Sequence, residues 1–120
     1  MKKIVVLFVL AVFTFSCQSQ TNSKVKVVSV AEFKTAISKD NIQLVDVRTP
    51  GEFADGAISN AKNINVNDAS FVTEIQKLDK SKPVYIYCRS GARSQTAAKK
   101  MVELGFEQVI DMEGGYMNWK

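Results

Sequence analysis

Apolar residues fall along this chain in short runs of two kinds, and the two kinds alternate. Val25 to Val28, Ile42 to Val47, Ala61 to Val66, Pro83 to Tyr87 and Gln108 to Asp111 are compact runs, most of them rich in β-branched or aromatic side chains, and read as strands. Between them the apolar positions recur three and four residues apart. Val30, Phe33 and Ile37 share one helical face, as do Phe71, Ile75 and Leu78, and later Ala97, Met101 and Leu104. Strands alternating with helices predict an α/β fold: a single domain with a parallel central sheet flanked by helices on both faces.

The boundaries carry their own signals. Ser29-Val30-Ala31-Glu32 reads as a capping box, with Val28 and Phe33 placed as a hydrophobic staple. Thr49-Pro50-Gly51-Glu52 is a second box with proline in the first turn, and Gly56 ends the short helix it starts. Asn67 or Asp68 caps the helix carrying Phe71. A longer helix runs from about Arg93 to Leu104, closed by Gly105 with Phe106 against Met101. Gly114-Gly115 makes a turn, and Tyr116 to Trp119 a last helical turn.

The first residues do not fit this pattern. Met1-Lys2-Lys3 is a short basic start, and Ile4 to Phe15 is apolar apart from Thr14. About a dozen such residues are too few to span a bilayer but suit the core of a signal peptide. Ser16-Cys17 and the polar run Gln18 to Lys24 follow, and a small residue before a cysteine at this point resembles the cleavage box of bacterial lipoproteins. Residues 1–16 are therefore expected to be removed. Cys17 would be lipidated, residues 17–24 would form the anchor and tether, and residues 25–120 the folded domain. That implies an exported, periplasmic domain held to a membrane through Cys17. An ordinary secretory signal with an incidental cysteine is the alternative.

A chain of 120 residues supports one domain and one core region. The formal charge is +4, but without Lys2 and Lys3 there are 14 basic side chains against 12 acidic ones. That balance, scattered along the sequence, does not argue for a nucleic-acid partner. There is no histidine and there are only two cysteines. A Cys-His or Ser-His pair is thereby excluded, a zinc site is not expected, and no cofactor is called for.

If Cys17 carries lipid, Cys88 has no disulfide partner, and a solitary thiol in an exported protein points to chemistry. Cys88 ends the strand run Pro83 to Tyr87 and opens the loop Arg89-Ser90-Gly91-Ala92-Arg93-Ser94, which leads into a helix. In a parallel sheet that strand end is where ligands bind. Thiols ionise more readily near cations and helix N-termini, and both are at hand. Gly91 lets the backbone curl so that the amides of residues 89 to 93 turn inward as a nest for an anion. Arg89 and Arg93 would hold an anionic sulfane-sulfur donor, whose outer sulfur Cys88 would accept as a persulfide and pass to a thiol or cyanide. Ser90 and Ser94 either donate to the sulfur or cap the helix. Asp46 and Arg48, at another strand end, read as a structural pair, with a substrate-facing Arg48 as the minority view.

The chain resembles single-domain rhodaneses (thiosulfate sulfurtransferases). The residues that carry the resemblance are Leu44 to Arg48, Glu52-Phe53, Gly56-Ala57-Ile58, Ala61 to Ile64, Cys88 to Ser94, Leu104-Gly105-Phe106, Gly114-Gly115-Tyr116 and Trp119. The resemblance implies that thiosulfate is the donor, that Cys88 carries sulfur and that the backbone of residues 89 to 93 binds its persulfide. Where the family usually has Gly-His-Ile, this chain has Gly56-Ala57-Ile58.

Rival readings remain at this point. A cysteine phosphatase places five residues between Cys and Arg, whereas Cys88 and Arg93 are separated by four. A non-catalytic persulfide carrier or binding module would use the same loop, and a purely structural Cys88 would not need it. The expected product of export is testable: intact mass of protein purified from membranes should correspond to a chain beginning at a lipid-modified Cys17, and an unmodified mass would rule the anchor out.

Overall fold

The computed structural model describes residues 24–119; the expected signal segment, Cys17 and most of the tether lie outside them. Five strands form one sheet: β1 (Val25–Val28), β2 (Gln43–Asp46), β3 (Lys62–Asn63), β4 (Val84–Tyr87) and β5 (Val109–Met112). All neighbours are parallel, and the order across the sheet is β1-β5-β4-β2-β3. The helices are α1 (Val30–Ile37), α2 (Pro50–Asp55), α3 (Phe71–Ile75), α4 (Ala92–Glu103) and α5 (Tyr116–Trp119).

Parallel strands joined by helical crossovers must be covered on both faces. Alternation along β4 shows how this is done. Val84 and Ile86 join a core with Phe71, Ile75, Ala97 and Met101 of α3 and α4. Tyr87 points the other way, into a core with Phe33 of α1, where Tyr85, Tyr116 and Trp119 also pack. Phe33 and Tyr85 meet edge to face with ring centroids 5.6 Å apart.

The helix boundaries follow from capping chemistry. Ser29 Oγ accepts from the Glu32 amide at 3.1 Å, which starts α1. At α2 the box is reciprocal: the Glu52 amide donates to Thr49 Oγ1 at 3.2 Å, and Glu52 Oε1 accepts from the Thr49 amide at 3.2 Å. Helix α4 ends in a Schellman closure, with Phe106 N–H on Met101 O at 3.1 Å and Gly105 N–H on Val102 O at 3.0 Å.

Two local expectations change. The run Ala61 to Val66 pairs as a strand only at Lys62 and Asn63. The Asn63 side-chain amide donates to Asp46 O at 3.0 Å and Arg48 O at 2.9 Å, so a side chain takes over part of what a longer ladder would do. Neither Asn67 nor Asp68 is the N-cap of α3. Ser70 holds that position without a side-chain cap bond. Asp68 instead forms a turn just before it, accepting from the Ser70 amide at 2.9 Å.

The Tyr87 hydroxyl crosses beneath the loop after α2 and accepts the Ile58 amide at 3.0 Å. Burial pushes the Tyr87 phenol well above its ordinary range, so it stays neutral and holds that role at any working pH. Tyr87→Phe leaves a buried amide unpaired. It should cost about 1–3 kcal/mol, read as a lower urea midpoint with an unchanged denaturant slope.

Candidate active site

Cys88 follows the last residue of β4, so its position is set by a strand paired on both sides, by β2 and β5. The thiol is 1 % exposed. On one side it meets the core of α3 and α4. On the other the chain turns back over it: Gly91 N–H donates to Sγ at 3.0 Å, and Ser94 Oγ lies 3.4 Å away. Gly91 has φ +117°, a left-handed conformation that other residues adopt only under strain, and this turn aims its amide at the sulfur. Gly91 is also the N-cap of α4, so the amides of Ala92, Arg93 and Ser94 have no acceptor within the helix. The direct donor puts one positive dipole end against the sulfur, and the start of α4 adds its own.

The inward curl is held from outside the loop. Tyr116 N–H donates to Cys88 O at 2.8 Å and Met117 N–H to Arg89 O at 3.0 Å. Gly115 packs so closely that a Cβ there would sit 2.5 Å from Arg89 O and 2.6 Å from Cys88 O. Sequence reasoning read Gly114-Gly115 only as a turn. The contact between the last helical turn and the site loop is long-range, and no local signal reports it.

The arginines divide their tasks. Arg93 makes a two-pronged ion pair with Glu52, Nη1 to Oε1 at 2.7 Å and Nη2 to Oε2 at 2.9 Å. It ties α4 to α2 through that pair, an interaction the sequence reading of Arg93 as a donor-binding cation did not include. Arg48 is 4 % exposed and grips Asp46 through Nε and Nη2, the shortest contact being 2.6 Å. Its Nη2 also donates to Gly56 O at 2.7 Å, and its guanidinium lies 4.5 Å from the Tyr116 ring centre. The pair is therefore a brace between β2, the end of α2 and α5. Arg89 is exposed, and among the described residues it has no ion pair. Ser90 is exposed too, whereas Ser94 is buried beside the sulfur. The helix cap is Gly91 and uses neither hydroxyl.

A cleft of about 220 Å³ opens over this assembly, lined by Arg48, Glu52, Asp55, Gly56, Arg89, Tyr116 and Met117. Its neighbour Arg89 lines the cleft, whereas Cys88 itself is buried and does not. Ala57 is partly buried beside Gly56, where the sequence departs from the usual family pattern.

A family comparison resolves the class. Residues 29–120 match the rhodanese-like domain family. The chain belongs to that family. Among curated rhodanese-like relatives it is similar to the thiosulfate sulfurtransferase GlpE of Coxiella burnetii (strain RSA 493 / Nine Mile phase I), at 35% identity over 95 residues, covering 79% of this chain and 87% of that one. It is 38% identical over 98 residues to the putative sulfurtransferase YtwF of Bacillus subtilis (strain 168), covering 81% of this chain and 92% of the relative. Among solved structures, a rhodanese-like domain protein from Staphylococcus aureus superposes with a TM-score of 0.71 at 30% identity, over 79% of this chain and 91% of that one.

The Glu52–Arg93 link gives this rhodanese-like domain a defined acid response. The Arg93 guanidinium, helped by the Thr49 amide and hydroxyl, holds the Glu52 carboxyl down at about 2 against burial. An unfolded glutamate titrates near about 4.3. The folded value is depressed, so the stabilisation is complete above that unfolded value and is lost as pH falls through about 2. Glu52→Gln should remove this part of the acid dependence: melting temperatures of variant and parent should differ most at neutral pH and converge towards pH 2, and parallel curves would refute the assignment.

Proposed function

We propose that the protein is a sulfurtransferase that carries a sulfane sulfur on Cys88. The observation that carries this reading is the Gly91 amide donating to the Cys88 sulfur at the head of α4. It is supported by membership of the rhodanese-like family and by relatives named as sulfurtransferases. Cys88 gives up its proton and attacks, through the sulfur's electron pair, the outer sulfur of a donor such as thiosulfate. A sulfur–sulfur bond forms, the donor's own sulfur–sulfur bond breaks, and sulfite leaves with the electron pair. An acceptor thiolate or cyanide then takes the outer sulfur of the persulfide, and Cys88 departs as thiolate.

Positioning does most of the work here. The loop amides and the helix dipole are already oriented, so they need no rearrangement when charge gathers on sulfur. Arg89, exposed at the cleft, is the guanidinium free to meet the sulfonate end of the donor. Arg93 contributes charge from its pair with Glu52, and Arg48 shapes the wall. Because the sulfur is 1 % exposed, the donor must displace the loop at Arg89 and Ser90 to reach it. That closure also favours a second reading, a carrier that gives its sulfur to one dedicated protein. Turnover separates the two, since a carrier stalls after one sulfur per Cys88. In either case the reading places the domain outside the cytoplasm, in the periplasm, tethered to a membrane by lipid on Cys17; the basic, apolar and Ser16-Cys17 run supports this.

Incubation with thiosulfate should add about 32 Da, one sulfur, to the intact protein, and Cys88→Ser should abolish both that gain and cyanide-dependent turnover. Arg89→Ala should raise the Michaelis constant for thiosulfate about tenfold with little change in folding stability, whereas Arg93→Ala should lower the melting temperature as well. Transfer that survives in Cys88→Ser would end the proposal.

A further inference from the structure

Asp111 has no place in the chemistry above, yet it is a carboxyl group sealed inside the domain on the sulfur's side of the sheet. It is 2 % exposed. Its Cα pairs with Ile86 in the β4–β5 ladder, and Ile86 and Cys88 point to the same face of β4, so Asp111 lies on the face that carries the thiol. Oδ2 accepts from Gln95 Nε2 at 2.6 Å, which brings the carboxyl to the first turn of α4. The Ser94 hydroxyl lies beside the carboxyl. That hydroxyl is turned onto Gly91 O at 3.1 Å, and Oδ1 is left without a hydrogen bond. Ser94 Oγ is also 3.4 Å from Cys88 Sγ. One buried hydroxyl therefore stands between a thiol and a carboxyl oxygen with an open position.

The surroundings limit what this cell can hold. Of the charged groups at the site, Arg93 is paired with Glu52, Arg48 with Asp46, and Arg89 of the loop is exposed. The neighbouring strands bring Val27 of β1 and Ile86 of β4 into register with Asp111, neither of them charged. Among the described residues no cation is paired with the carboxyl. Two anions side by side in such a place repel, so thiolate and carboxylate are not comfortably ionised together. Burial accordingly pushes the Asp111 carboxyl above its ordinary range, against the pull of Gln95 and Ser94.

We propose that Asp111 stores the Cys88 proton, passed through the Ser94 hydroxyl, while Cys88 carries sulfur. In the resting state Cys88 is a thiol and Asp111 a carboxylate. As the donor is attacked, the S–H bond breaks and its electron pair stays on sulfur. The proton goes to Ser94 Oγ, and the original Ser94 proton goes to Asp111 Oδ1. The loaded state holds a persulfide anion and a neutral carboxylic acid, so the closed cell carries one negative charge before and after. When an acceptor thiolate removes the outer sulfur, the departing Cys88 thiolate regains its proton by the reverse route. Asp111 touches no reacting atom and acts through Ser94.

The inference rests on the sulfur-transfer reading, but its first test needs no substrate. The rate of Cys88 alkylation by iodoacetamide is measured against pH in the parent and in Asp111→Asn. With the competing anion gone, the profile of the variant should become a single step displaced to lower pH. Transfer from thiosulfate should nevertheless slow by roughly 10²-fold in kcat, because the proton has lost its acceptor. A more reactive thiol with slower transfer is a combination that a merely structural role does not produce. If Asp111→Asn folds poorly, ¹³C NMR of the Asp111 carboxyl in the unmodified protein gives the second test. The signal should move from carboxylate to neutral acid when thiosulfate adds sulfur to Cys88. An unchanged alkylation profile, or a carboxyl that stays ionised in protein whose mass confirms loading, overturns the proposal. Absence of any mass gain instead counts against the sulfur-transfer reading, and the alkylation profile still decides the role of Asp111.

Discussion

The backbone carbonyls of Cys88 and Arg89 are claimed by the amides of Tyr116 and Met117, and the shape of the site depends on that pairing. A strand that ends in solvent leaves its last polar groups to water. Here the last turn of the domain satisfies them, and the chain beyond can fold back over its own thiol. The approach is close enough that only glycine fits at position 115. Four elements converge on a few ångströms: β4 supplies the sulfur, α4 the amides, α5 the outer support, and α2 the carboxylate that holds Arg93.

Charge is distributed around this point with economy of number. Two guanidiniums are committed to carboxylates, Arg48 to Asp46 and Arg93 to Glu52. Pairs of this kind hold elements together more than they contribute to net stability, since burial costs much of what the attraction returns. Their effect is geometric: Arg48 fixes the carbonyl of Gly56 and stacks against Tyr116, while Arg93 sets the distance between α2 and the loop. The exposed Arg89 is then left at the cleft, and the buried Asp111 has no ion pair among the described residues. In the proposed mechanism the first meets the incoming anion and the second takes the proton of the thiol.

Much of this could be read in the chain itself. The strand runs, the two boxes at Ser29 and Thr49, the closure at Gly105 and the placement of Cys88 after Pro83 to Tyr87 are local: each depends on residues within a turn or two of one another, and hydrophobic period and capping chemistry report such features directly. The parallel sheet with helices on both faces followed from their alternation. The errors were local too, at β3 and the start of α3, where the side chains of Asn63 and Asp68 compete for backbone partners and blur the pattern.

What the sequence by itself determined is the order of elements and the place of Cys88 at the head of its glycine-bent loop, because short-range sterics and hydrogen bonding are written in neighbouring residues. Only the tertiary structure decided which arginine is spoken for, why Gly115 must be small and what stands beside Ser94. Glu52 and Arg93 are 41 positions apart, and Gln95 and Asp111 are 16 apart. Such partners meet through the order of strands in the sheet, and nothing in either residue's own neighbourhood encodes the meeting.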